Sequence, residues 1–277
     1  MLRIQRTKST SRSSEKGLTI VELVLVIVLL GILFPLFSTL LVSMYRDAIY
    51  LNDRVKSNSE ITQALFYMEE NVRNASTFQT AVPGEYSDFY GSHNLGTAGS
   101  EAWINKGDSA TSRVLITRNY STTSNTLNSG KQPVFVNSPS FNCTTQIYYQ
   151  PQLTYVTIYF VKDGTLYRRL LTNKTTALCP GNVQQQKQTC PPYIPDATRD
   201  VSCEAYDEVL ANNVTNFTVG YYQVSVDGSS AQIDASYVST DASILSAVDY
   251  ANVAITVSTR GGELTNTITQ RMTKVNQ

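Results

Sequence analysis

From Leu18 to Val42 nearly every position is apolar and only Glu22 carries a charge. A run of that length can cross the hydrocarbon of a bilayer, which takes about 20 residues. Beyond it the pattern turns periodic. Apolar residues recur at Met44, Ala48, Leu51 and Val55, then at Ile61, Leu65, Met68, Val72 and Ala75, with Asn58 interrupting the stripe. Steps of three and four mark one face of a helix. No Pro or Gly occurs between Tyr45 and Val82, and Pro83-Gly84 supplies a stop. The pattern predicts one helix from about Leu18 to about Ser76, roughly 88 Å long at 1.5 Å per residue. Its first half (18–42) is apolar all round. Its second half (43–78) has a single apolar stripe, expected to be covered from Ala48 to Ala75 by a folded head.

From residue 79 the periodicity becomes that of strands. Arg113 to Thr117 is a short apolar run, and Leu153 to Val161 alternates, with Tyr155, Thr157 and Tyr159 on one face and Val156, Ile158 and Phe160 on the other. Asp163-Gly164 is a strong hairpin signal, which makes Leu166 to Leu171 the partner strand. Val214 to Val226 turns near Asp227-Gly228, and Val253 to Ser258 turns at Gly261-Gly262 into Leu264 to Met272. The expected fold is α+β: a long N-terminal helix packed on an antiparallel sheet. Residues 84–112 and 172–212 show no period and are expected to be long loops of the kind that carry binding.

Charge sets a direction for this layout. Arg3, Arg6, Lys8, Arg12 and Lys16 precede the apolar run, against Glu15 alone, so the N-terminus is expected in the cytoplasm. From Leu18 onward there remain 17 basic and 21 acidic residues, a balance of about −4. That argues against sequence-independent nucleic-acid binding by the body. DNA at the outer end of the molecule would need a local patch that the sequence does not display. The run is too long for a secretory signal, and no small-residue cleavage site follows it. Outside the cytoplasm, Cys143, Cys179, Cys190 and Cys203 can form two disulfides. Three connectivities exist; Cys190 with Cys203 as a local loop and Cys143 with Cys179 is the preferred one. The cysteines form no CxxC pairs and the one His, His93, is remote from them in sequence, so zinc is the weaker reading.

Glu22 is the position that most needs a reason. A charge near the bilayer centre costs about 2.5–3.5 kcal/mol even on the lenient scale, and intramembrane acids have partners. The stretch Lys16-Gly17-Leu18-Thr19-Ile20-Val21-Glu22-Leu23, with the long helix behind it, resembles the start of type IV pilins and of the pseudopilins of type II secretion. The resemblance implies cleavage between Gly17 and Leu18 by a prepilin peptidase, removing 1–17, and methylation of the new amino terminus. It further implies insertion among membrane lipids, contact with an inner-membrane assembly platform, and polymerisation with other pilins or pseudopilins. In that setting Glu22 pairs with an N-terminal ammonium, commonly a neighbour's. Gly31 and Pro35 are the helix breakers that let such a spine extend during assembly. Leu18 stands where phenylalanine is commonest, and Pro35 falls about one turn earlier than the proline usual in major pilins. Leu65 to Ser76, Asp163 to Arg169 and Val209 to Tyr222 are similar to segments of W-type minor pilins and J-type pseudopilins, which implies a priming or tip subunit.

Chemistry is otherwise thin. There is no Walker A loop, HExxH or GxSxG, so no enzymatic activity, cofactor or metal is expected. His93 lies in a Gly-rich loop, and Asp227 with Asp234 reads as a solvated hairpin before it reads as a calcium site. The first functional expectation is a membrane-inserted structural subunit that enters a pilus or secretion-type filament. The second is a membrane-anchored extracellular binding protein, an adhesin or DNA-capture module.

Overall fold

The computed structural model describes residues 19–79, 81–86, 88–90, 114–123, 132–137, 143, 151–174, 176–192, 199–233, 245, 248–259 and 262–274. Helix α1, Ile20–Arg73, is followed by strand β1, Ala75–Gln79. The remaining longer strands are β2 (Val114–Tyr120), β3 (Thr154–Lys162), β4 (Thr165–Thr172), β8 (Val214–Val224), β10 (Tyr250–Thr259) and β11 (Leu264–Thr273). Short strands β5 (Thr189–Cys190), β6 (Ala205–Tyr206), β7 (Glu208–Ala211) and β9 (Ser230–Ile233) lie between them. The fold is α+β. The chain divides into two compact units, with the boundary inside α1 between Asp53 and Arg54.

In the second unit the strands form a five-stranded sheet in the order β1-β2-β3-β4-β7 and a four-stranded sheet in the order β11-β10-β8-β9. Every pairing in both is antiparallel. The β3–β4 turn has Asp163 at φ 49° and Gly164 at φ 75°. Two positive φ values in sequence are the two-residue hairpin turn whose twist matches that of the strands. The long connection over 172–212 is partly regular: β5 pairs in parallel with β6, and β7 extends the first sheet.

The buried face of α1 is Ser57, Ile61, Ala64, Leu65, Met68 and Val72. Those apolar residues share one cluster with Leu115, Tyr159 and Leu166 of the first sheet and with Phe217, Val219, Tyr221, Val253, Ile255 and Met272 of the second. The opposite face of the first sheet is buried too, in a cluster of Val114, Ile116, Val156, Ile158, Phe160 and Leu171. Alternation along β3 thus separates two cores, one beneath the helix and one behind it.

Two details differ from the periodic reading. The covered stripe begins at Ser57; Leu51 and Val55, in the same stripe, are exposed by 57 % and 66 %. A period of 3.6 marks an apolar face and leaves open what lies against it. Asn58, the interruption, is a tie: its Oδ1 accepts a hydrogen bond from Asn266 of β11, and Glu69 Oε2 accepts another from Gln270 at 2.8 Å. The helix also stops at Arg73, so Ser76 belongs to β1, where its Oγ donates to the Arg118 carbonyl at 2.9 Å. Its last carbonyls are taken up by side chains. Asn71 and Asn74 donate to Tyr67 and Glu70, both at 2.9 Å, and Asn119 reaches across from β2 to the Asn71 carbonyl at 2.7 Å. The Glu70 and Asn71 carbonyls are among the last four, which have no partner within the helix, and these side chains satisfy them where it ends.

Candidate functional site

The apolar half of α1 is the first candidate. Its 18-residue window of highest mean hydropathy scores 3.0, so the helix is long and apolar enough to cross a membrane. From Ile20 to Val42 its large apolar side chains are exposed, Phe34 by 75 % and Val42 by 68 %. An apolar surface of that extent marks a region made for lipid or for other chains.

Glu22 has a partner within its own helix. Its Oε2 accepts hydrogen bonds from the Thr19 amide and the Thr19 hydroxyl, both at 3.0 Å, and its amide donates to Thr19 Oγ1 at 3.3 Å. This reciprocal arrangement is a capping box, with Thr19 as N-cap and Glu22 three residues on. It satisfies donors that the first turn of any helix leaves unpaired. The signal was present in the sequence, as a threonine three residues before an acid at the head of an apolar run. Gly17 and Leu18, the cleavage position implied by the resemblance, lie outside the described residues.

Gly31 and Pro35 are both inside α1, which continues through them. They stand four apart, so the amide that proline lacks is the one that would have bonded the Gly31 carbonyl. No atom comes within 4 Å of a Cβ built at Gly31. Farther along, Thr39 and Ser43 donate their hydroxyls to the carbonyls of Leu36 and Leu40 at 2.9 and 2.8 Å.

In the second unit, disulfides join Cys143 to Cys179 and Cys190 to Cys203, with Cα–Cα distances of 5.6 and 5.7 Å. The second is packed against Tyr90, whose hydroxyl accepts the Asp200 amide at 2.7 Å. Beside this loop sits a buried ionic cluster. Arg169 of β4 donates to Asp207 through Nη2 at 2.7 Å and Nε at 3.1 Å, and to Asp88 through Nη1 at 3.0 Å. Thr189 adds a hydroxyl to Asp207 at 2.8 Å and accepts the Leu170 amide at 2.9 Å. The three charged side chains are 2 %, 1 % and 7 % exposed for Arg169, Asp207 and Asp88. Burial pushes the Asp207 carboxyl up, and the Arg169 guanidinium and Thr189 hydroxyl work against that. With the cation bonded through two nitrogens, we regard the site as an ion pair. It fastens the segments around Asp88 and Asp207 to the sheet.

The third feature is an open cleft of about 840 Å³ at the C-terminal end of α1, entirely within the second unit. Tyr67, Glu70 and Asn71 of the helix, with Asn74 just past its end, form one wall. Asn119, Tyr155, Arg168 and Leu170 of the first sheet contribute another, and residues around Gln186 and Tyr206 close the rim. Arg168 pairs with Glu208 at 2.7 Å, while its Nε is buried with no hydrogen-bond partner. Desolvation pushes the Tyr155 phenol up to about 12, against the nearby Arg168 charge and with a smaller upward push from Glu70. Tyr159, fully buried beneath it, is raised further for the same reason.

A consequence for alkaline stability follows. A phenol of raised pKa keeps its proton in the folded state after the unfolded chain has lost it. Stability is therefore expected to fall as pH rises above about 10, by about 1.4 kcal/mol per pH unit for each such tyrosine, until its folded pKa is passed. Denaturant unfolding across that range should show the decline, and Tyr155→Phe should remove its share between about pH 10 and 12.

Among the described residues, none of the candidate site residues expected from the sequence (Glu22, Gly31, Pro35, the four cysteines and Asp227) lines this cleft. His93 and Asp234 lie outside the described residues. The Asp227 carboxylate accepts the Ser229 amide and hydroxyl at 2.9 and 2.7 Å in a local turn. Among the described residues no group of three or more His, Cys, Asp or Glu is arranged to hold a metal. No protein-family model matches the chain, and no curated protein matches it either.

Proposed function

We propose that the chain is a pilin-like structural subunit, processed at Gly17, held in the cytoplasmic membrane by the apolar half of α1 with its N-terminus inside, and then drawn into a type IV pilus or type II secretion-like filament. The observation that carries the reading is the composition of one helix. Its first half exposes an unbroken apolar surface with a single carboxylate one turn from its start, and its second half is the central element of a disulfide-bonded α+β head. A plain anchor needs the first property alone. An anchor that leaves lipid to pack among copies of itself needs both, because the helix then carries the head with it. In this reading Glu22 exchanges its bond to Thr19 for the ammonium of a neighbouring chain, a pairing that selects register more than it adds stability. The resemblance of Leu65 to Ser76, Asp163 to Arg169 and Val209 to Tyr222 to W-type and J-type segments, with the size of the head, favours a minor, priming or tip position.

The test is the mature N-terminus. Mass spectrometry of the protein from wild-type cells should show a chain beginning at Leu18, with methylation adding to its mass. A chain that retains residues 1–17 in the membrane overturns the reading.

A further inference from the structure

We infer that the cleft at the C-terminal end of α1 binds an uncharged saccharide. The inference lies wholly within the second unit and does not depend on the filament reading. Its volume, about 840 Å³, is in the range of ligand pockets, and its lining narrows the ligand by elimination. Among the described residues Leu170 and Ala205 are its only aliphatic ones, so the apolar part of its wall is mainly tyrosine ring, broken up by amides and charged groups. Two acids, Glu70 and Glu208, balance two bases, Arg168 and Lys187, and Arg168 is already bonded to Glu208. The described lining therefore carries no net positive charge to favour a phosphate, a sulfate or a nucleic-acid backbone.

What remains is aromatic surface and neutral polar groups. Tyr67, Tyr120, Tyr155 and Tyr206 all contribute to the lining, and Tyr67, Tyr120 and Tyr206 are 37 %, 39 % and 43 % exposed. A tyrosine offers an apolar ring with a polar tip. A pyranose has the complementary character, with C–H faces that lie on rings and an edge of hydroxyls that bond to amides and carboxylates. Acceptors for those hydroxyls are at hand. Asn74 spends its amide nitrogen on the Glu70 carbonyl, which leaves its side-chain oxygen to accept. The Tyr155 phenol, neutral at physiological pH like any tyrosine, can serve as donor or acceptor in the lining. Outside the lining, the Arg199 guanidinium lies 5.2 Å from the Tyr206 ring.

The full chain, purified in a detergent without a sugar headgroup, would be titrated by calorimetry with maltotriose, cellotriose, chitotriose and mannotriose. Inorganic phosphate and a sulfated disaccharide serve as anionic probes. At least one neutral trisaccharide should bind saturably with Kd below about 10 mM, and the anions should bind more weakly. Tyr67→Ala combined with Tyr206→Ala should weaken binding about tenfold or more, and Glu70→Gln, which preserves shape, should weaken it several-fold. Thermal unfolding of these surface variants reports whether the head stays intact. Failure of all four neutral probes to bind, tighter binding of an anion, or binding unchanged in correctly folded variants would each overturn the inference.

Discussion

Arg169→Ala is expected to destabilise the second unit by about 3–5 kcal/mol, the cost of stranding buried charge. For a domain of this size that corresponds to roughly 10 °C in Tm. The reason is an asymmetry. Arg169 neutralises two carboxylates from segments far away in sequence, Asp88 and Asp207, and truncation leaves both without a cation. The remaining acids should then take up protons more readily in the folded than in the unfolded state. Acid groups with raised folded pKa values give stability that is recovered as pH falls through them. The variant should therefore gain stability on mild acidification, relative to the native chain. Urea unfolding of the full chain at neutral and mildly acidic pH measures both effects. A loss under about 1 kcal/mol would mean that the cluster contributes no more than an exposed pair does.

The second large effect concerns Glu22, where capping and assembly can be separated. Glu22→Gln keeps a side chain that can complete the capping box but removes the charge. Thr19→Ala removes the cap, at about 1 kcal/mol, and keeps the charge. If Glu22 meets an ammonium in the filament, the glutamine variant should insert normally in the membrane and lose at least about tenfold in filament incorporation, an energy of about 1.4 kcal/mol or more. The threonine variant should stay within a few-fold of wild type. Equal incorporation of Glu22→Gln and wild type, read by immunoblot of sheared filaments against the membrane fraction, would reduce Glu22 to a helix cap.

Much of the fold was legible because it depends on local signals. The apolar run, the helix stripe from Ile61 onward, the Asp163-Gly164 hairpin and the alternation of β3 each lie within a short window of sequence. What lay beyond such windows was not legible. The cluster at Arg169 joins residues 81 and 38 positions distant, and the only local hint was an arginine on the strand face shared with Leu171 and Tyr167. The cleft is assembled from the end of α1, the six strands β2 to β7 and the irregular residues 185–187, none of which shows a motif alone. Glu22 is a different case, because its partner was three residues away. The same carboxylate is a costly charge in lipid and the second half of a capping box, and the sequence alone does not rank the two roles.

The two polar ties between α1 and β11 have a consequence for where the helix can sit. Met68 and Val72 follow Ile61 and Leu65 at a distance of seven residues, about two helical turns. To a purely apolar groove the stripe is nearly a copy of itself displaced along its axis, and a helix slipped by two turns would still present Met68 and Val72 where Ile61 and Leu65 belong. Asn58 and Glu69 remove that degeneracy. After such a slip the place of Asn58, opposite Asn266, would be filled by Leu65, and that of Glu69, opposite Gln270, by Ser76. Hydrophobic burial supplies adhesion without an address; the two amide contacts supply the address.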